Sequence, residues 1–271
     1  MPKYAILSDI HANSDALKVV LEKCRELAVD KYVSIGDIVG YNAEPELCMK
    51  LTRDLDFCAM VRGNHDDYVA SGNTEMSGFN ANAKKAITWT REQLDASERS
   101  YLGSIPYQAT MPACGTTLVH ATLDTPENWG YIFGVHDAAG CFTYQKSRYC
   151  FCGHSHVPVA FDMLPISGVL GRGIEVINEW VSNRAHPEND TDFSVADSLS
   201  VQCKIGHKYL FNIGSIGQPR NGDPRASFAV LDTGKNIVTR YRLPYDVASA
   251  QQKIVDAGLP ERLAVRLAAG M

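Results

Sequence analysis

The first 65 residues alternate apolar runs with amphipathic segments, and each apolar run ends in polar side chains. "KYAILSD" (Lys3 to Asp9) reads as a buried strand. It is followed by a helix that Asn13 can cap and that carries Leu17, Val20, Leu21, Cys24 and Leu27 at helical spacing. "KYVSIGD" (Lys31 to Asp37) is the next strand, a helix from about Pro45 to Leu51 follows, and "DFCAMVRGN" (Asp56 to Asn64) is a third strand. Strand, helix, strand at this spacing predicts a parallel sheet with crossover helices. In such sheets binding groups gather outside the carboxyl ends of the strands.

Further along, Phe79 to Leu94 is a helix, a short one follows around Glu98 to Leu102, and Tyr107 to Phe161 alternates strands with a helix near His136 to Tyr144. Ser182 to Ser198 is polar and reads as an exposed loop. Val201 to Leu243 is strand after strand with Gly, Pro, Asn and Asp turns, which predicts a second, mixed or antiparallel sheet. Asp246 to Ala268 is helical and broken at Gly258-Leu259-Pro260. With 271 residues and 45% hydrophobic composition, one principal domain over residues 1–245 is expected, with 246–271 as a helical tail packed on it.

The 26 basic and 31 acidic residues give a net charge of -5 with no Lys/Arg block, which argues against long nucleic acid as a partner. No apolar run approaches the roughly 20 residues needed to span a bilayer. The opening "MPKYAILSDIHAN" does not read as a signal peptide, so no membrane association and a cytoplasmic location are expected. Eight cysteines without C-x-x-C spacing point to reduced, buried thiols. Cys150-Phe151-Cys152 reads as a strand with two small apolar residues on one face.

Five segments place polar groups just after an apolar run: Asp9 and His11, Asp37, Asn64 with His65 and Asp66, His120 in "TTLVHAT", and His154 and His156 in "FCGHSHVP". If the last is extended, residues i and i+2 project both imidazoles to one side. Jointly, Asp9, His11, Asp37, Asn64, His120, His154 and His156 would be a costly accumulation of buried charge and dipole unless cations neutralise it. Asp/His/Asn donors without thiolate suit manganese, iron or zinc, and a shared carboxylate, for which Asp37 is the candidate, suits two divalent ions roughly 3.5–4 Å apart. Such a pair generates hydroxide near neutral pH and clamps a phosphoryl group, so phosphate-ester hydrolysis is the chemistry this set supports.

D-x-H, G-D, G-N-H-D, H and G-H-x-H in this order resemble the calcineurin-like metallophosphoesterase superfamily. "GDIVGYNAEPELC", "WTREQL", "HATLDTPENWGYIF" and "NIGSIGQPRNGDPRASFAVLD" look like its prokaryotic branch of phosphodiesterase or diadenosine tetraphosphatase-like hydrolases. The resemblance implies an α/β fold, a four-layer α/β/β/α sandwich with two mixed sheets. It also implies that Asp9, His11, Asp37 and His156 hold one metal and that Asp37, Asn64, His120 and His154 hold the other. A metal-bridging hydroxide would attack a small phosphodiester or nucleotide (poly)phosphate, with His65 as general acid to the leaving oxygen, since adjacent residues of an extended turn diverge and His65 cannot share Asn64's metal.

Asp66 either orients His65 or caps the loop, and Arg62 either contacts phosphate or packs beneath the loop. Arg220 and Arg225 either offer guanidinium forks to substrate or tie down nearby carbonyls. Serine/threonine protein phosphatases of the superfamily carry G-D-x-x-D-R-G; here the stretch is Gly36-Asp37-Ile38-Val39-Gly40-Tyr41-Asn42, without the second aspartate and the arginine. A protein phosphatase or phosphomonoesterase is therefore the secondary expectation, and a non-catalytic metal-binding scaffold a third. His136, His186 and His207 lack a partnering context and read as structural.

Overall fold

The computed structural model describes residues 1–73, 75–76, 78–164, 173–177, 180 and 192–271. Two six-stranded mixed sheets lie face to face. In the first, β1 (Lys3–Leu7), β2 (Lys31–Ser34) and β3 (Phe57–Met60) are parallel, as the opening alternation predicts. The sheet continues antiparallel from β1 through β11 (Ala226–Asp232) and β12 (Ile237–Leu243) to β9 (Asp197–Gln202). The second runs in the order β4 (Gln108–Met111), β5 (Thr116–Val119), β6 (Tyr149–Cys152), β10 (Lys208–Asn212), β7 (Val159–Met163) and β8 (Ile174–Val176), with β5, β6 and β10 parallel.

Alternation along the strands divides the core into layers. Tyr4 and Ile6 point between the sheets, where they join Val33, Phe151, Phe211, Leu231 and Val238. Ala5 and Leu7 point outward and pack with Leu17, Val20, Leu21 and Cys24 of α1 (Ser14–Glu26). On the far face, Cys150 and Cys152 meet Ala138, Cys141 and Phe142 of α6 (Val135–Tyr144). The result is helix, sheet, sheet, helix, the expected four layers. α2 (Pro45–Arg53) closes the β2 to β3 crossover, and α3 (Asn64–Ser71), α4 (Ala81–Gln93) and α5 (Ala96–Ser104) form a lobe around Val69, Ile87 and Leu102. The tail forms α7 (Val247–Asp256) and α8 (Glu261–Ala269), whose Ile254, Leu263 and Leu267 pack on Ala83 and Ala86 of α4.

Three expectations need correction. Val201 to Leu243 does not build the second sheet alone: β9, β11 and β12 extend the first sheet, and only β10 inserts into the second. β3 ends at Met60, short of the expected Asn64, which instead opens α3 behind its N-cap Gly63. In the polar segment Ser182 to Ser198, the first ten residues, His186 among them, lie outside the described residues, while Asp197 and Ser198 begin β9.

All eight cysteines are free, six of them buried; Cys58 is exposed and Cys114 half-buried. Burial pushes the Cys24 and Cys203 thiols up to about 12. No described helix is long and apolar enough to cross a membrane.

Candidate metal centre

Asp9 and His11 follow β1, Asp37 follows β2, Asn64 and His65 open α3 after β3, His120 follows β5, and His154 and His156 follow β6. The carboxyl ends of both parallel blocks meet at one crevice, and the structure brings all seven expected donors there, each at most 6% exposed. The backbone is unusual at these points. Asp9, His11, Asp37, His154 and His156 adopt positive φ of 51°, 48°, 55°, 65° and 58°. Each such non-glycine conformation costs on the order of 1 kcal/mol and persists only where the surroundings hold it. The GHSH segment is thus a tight turn, not the extended segment expected, with Ser155 N donating to Gly153 O at 2.7 Å. Likewise Asn64 and His65 diverge because they are successive residues of a helical first turn.

Three imidazoles are oriented in the same way. Nδ1–H of His11 donates to Val39 O (3.1 Å), that of His120 to Ile35 O (2.8 Å), and that of His156 to Gln218 O (2.6 Å). Because a carbonyl only accepts, each Nε2 is left to face the crevice, the second hydrogen bond that metal-ligating histidines characteristically make. His11 Nε2 and His156 Nε2 then lie 3.0 Å apart, with Asp9 Oδ1 3.2 Å from His156 Nε2 and Asp37 Oδ2 3.5 Å from His11 Nε2. Two imidazole lone pairs and two carboxylates converging in this way repel one another unless a cation sits among them. Donor atoms of Asp9, His11, Asp37 and His156 all lie within 4.8 Å of one another.

A second convergence shares Asp37. Asn64 Oδ1 lies 3.1 Å from His120 Nε2 and 3.0 Å from His154 Nδ1, and Asp37 Oδ2 is 3.3 Å from His120 Nε2. Asp37 Oδ2 is buried without a hydrogen-bond partner among the described residues, while its Oδ1 accepts the His65 amide at 2.8 Å. Burial alone would lower the His120 imidazole, but the Asp37 charge outweighs it and pushes it up to about 9. A proton is one way to neutralise this corner; a divalent cation is the other. Burial holds His154 down to about 3 and His65 down to about 4.

Residues 3–178 match the sequence pattern of the calcineurin-like phosphoesterase superfamily domain. The chain belongs to this superfamily. An uncharacterized protein of Methanocaldococcus jannaschii is 33% identical to it over 268 residues, covering 98% of this chain and 97% of that protein. The crystal structure of a metallophosphoesterase from Sphaerobacter thermophilus is 35% identical and superposes with a TM-score of 0.79, covering 100% of this chain and 99% of that one. A hypothetical protein of Pyrococcus horikoshii, 20% identical, shares the fold with a TM-score of 0.73 over 100% of this chain and 99% of its own. The calcineurin-like superfamily is metal-dependent, and the buried Asp/His cluster suits a metal ion in both donor type and spacing.

Within this calcineurin-like phosphoesterase, the remaining expected residues sort by their partners. Asp66 does not orient the His65 ring. Its carboxylate accepts the amides of Gly63 (3.2 Å), Asp37 (2.8 Å), Ile38 (2.9 Å) and Val39 (3.3 Å), so it caps the loop that presents Asp37. Burial and the Asp37 charge push the Asp66 carboxyl up to about 7 against those amides. Arg62 is withdrawn from the crevice, where it donates to Gly103 O (2.9 Å), pairs with Asp67 (3.3 Å) and lies over Tyr107. Arg225 is also structural, because Asp223 takes it in a two-pronged pair at 2.9 and 2.6 Å and Asp197 and Val195 O take its third nitrogen. His207 meets Asp162 at 2.6 Å, and His136 is exposed on α6.

Arg220 alone of the expected arginines faces the centre, donating to Tyr41 Oη and Gln218 Oε1, each at 3.2 Å. The crevice opens into a cleft of about 290 Å³ whose walls include Tyr41, Phe79, Trp129, Tyr131, Arg220 and Arg266. Tyr131 stacks on His154 at 4.3 Å, and the His65 ring is held between Tyr41 at 4.3 Å and Phe79 at 5.1 Å. Of these walls only Arg220 was expected from the sequence, and the other five were missed. Trp129 and Tyr131 follow the His120 strand end and were legible by position, whereas Phe79 and Arg266 carry no local signal.

Proposed function

We propose that this chain is a dinuclear-metal phosphoesterase that hydrolyses a small phosphodiester or nucleotide (poly)phosphate. The observation that carries the reading is Asp37 Oδ2, a buried carboxylate oxygen without a hydrogen-bond partner among the described residues, set 3.5 Å from His11 Nε2 in one donor group and 3.3 Å from His120 Nε2 in the other. Asp9, His11, Asp37 and His156 would hold one ion, and Asp37, Asn64, His120 and His154 the other. Bound there, divalent ions supply Lewis-acid neutralisation of phosphoryl oxygens and lower the pKa of water toward neutrality. Their identity among manganese, iron and zinc is a matter of donor preference that these residues share.

The chain's own groups complete the chemistry. His65 lines the cleft and donates a proton to the departing oxygen; burial disfavours its charged form, and an anionic substrate acts in the opposite sense. Asp66 holds the Asp37 loop through backbone amides, and Arg220 brings positive charge to the cleft. The modest cleft volume and its aromatic walls favour a small substrate with a flat group over a protein surface.

The test is hydrolysis of bis(p-nitrophenyl) phosphate and p-nitrophenyl phosphate by chelator-stripped protein, with and without added manganese. Diester turnover that appears only with metal is expected. Exclusive monoester turnover would move the reading to a phosphatase, and no turnover of either ester by protein holding two ions would favour a binding scaffold.

A further inference from the structure

We infer that Arg266, carried by the C-terminal helix α8, is a specificity residue that together with Arg220 receives a second phosphate group of the substrate, beyond the one that is hydrolysed. Which phosphate is cleaved rests on the phosphoesterase reading above; the anion site itself rests on the following geometry. Arg266 and Arg220 share the cleft wall beside Tyr41 and His65, and Arg220 is tied to the centre by its amide, which donates to His156 O at 3.3 Å. Arg220 also lies over the Tyr41 ring at 5.5 Å.

Charge distinguishes these two arginines from their neighbours. Arg225 and Arg242 are each taken up by Asp223 and Asp197, and Arg62 by Asp67. Among the described residues no Asp or Glu side chain pairs with Arg220 or Arg266, and Arg220 Nε is buried without a partner. Burial and the nearby Arg220 both press the Arg266 guanidinium below its ordinary value. Two like charges set side by side on a cleft wall, with no acidic side chain among the described residues paired to either, form a cradle for an anion. A guanidinium fork matches phosphate oxygens in pairs.

The tail is fixed in a way that positions this group. Leu263 and Leu267 anchor α8 in the core shared with α4, and Arg266 Nε donates to Met271 O at 2.7 Å. Gly222 N donates to Gly270 O at 2.7 Å, so α8 ends against the loop that carries Arg220. Gly270 has φ of 61°, and a Cβ there would stand 2.6 Å from Asp223 N, so this approach requires glycine.

The experiment is calorimetric titration of the manganese-loaded protein with AMP and with ADP, which differ by one phosphate. Wild type is expected to prefer ADP by about tenfold, the scale of one charged hydrogen-bond pair. Arg266→Gln is expected to lose most of that preference while AMP affinity holds, and Arg266→Lys to recover part of it. Equal affinities for AMP and ADP in wild type, binding of neither nucleotide, or an equal loss of both in Arg266→Gln would overturn the inference. Diester turnover on the same preparations is read separately. Turnover without an ADP preference rejects the Arg266 site and keeps the phosphoesterase, whereas an ADP preference that Arg266→Gln abolishes, without turnover, does the reverse.

Discussion

Asp66 Oδ2 accepts the backbone amide of Asp37 at 2.8 Å, so one buried carboxylate fixes the loop that aims another. The same group satisfies the amides of Gly63, Ile38 and Val39. Asp66→Ala leaves these buried donors unpaired and is expected to cost about 3 kcal/mol or more, because each orphaned group costs roughly 1–3 kcal/mol. Metal affinity should fall with it, since Asp37 loses its support. Denaturant unfolding and metal content read both effects; normal metal affinity in a folded Asp66→Ala would show that the loop holds Asp37 unaided.

His65 lies on the cleft wall but outside both donor groups. His65→Ala is expected to lower kcat by about 100-fold or more, the scale of general acid catalysis, with metal content unchanged. Loss of metal in this variant would reassign His65 as a ligand. A leaving group of low pKa should also recover much of the lost rate, because it needs no proton.

Gly40 sits at φ of 91°, and a Cβ there would stand 2.4 Å from His65 Nδ1. Gly40→Ala should therefore displace the imidazole and lower kcat by about tenfold or more while both donor groups remain intact. Steady-state kinetics beside metal analysis separates this outcome from general misfolding.

Lys253 of α7 pairs with Glu44 and Asp15, each at 2.8 Å, and ties the tail to the main sheet's helices. Burial opposes ionisation of Glu44, but Lys253 and Ser14 outweigh it and hold its carboxyl below 4.5. A depressed folded pKa contributes stability that is present above the unfolded value and lost as pH falls through the folded one. Lys253→Met should thus lower the melting temperature slightly at pH 7, with the difference from wild type shrinking as pH drops below about 4.5. A difference that does not change with pH would mean that Lys253 acts through packing alone.

The sheets and the donor set were legible because each donor follows an apolar strand, and strand ends of a parallel sheet converge whatever lies between them. Their local shape was not legible. Asp9, His11 and Asp37 carry positive φ because contacts from other segments hold them there, and nothing in D-I-H or G-D announces it. α3 was missed because "NHDDYVAS" is short and polar, with only a glycine N-cap. The assignment of β9 and β10 to different sheets is a question of topology that strand patterning cannot answer. Arg62 and Arg225 stayed open in sequence between phosphate contact and a structural role because their partners, Asp67 and Asp223, look like ordinary loop acids until the fold sets them opposite. Arg266 lies in a helix whose sequence reads only as amphipathic, and the packing of α8 alone brings it to the cleft.

Anomalous diffraction from crystals of manganese-reconstituted protein tests whether Asp37 would serve two ions. Two peaks roughly 3.5–4 Å apart are expected, one among Asp9, His11, Asp37 and His156 and the other among Asp37, Asn64, His120 and His154. A single fully occupied peak confined to the first group, in protein that hydrolyses phosphodiesters, would contradict a shared Asp37.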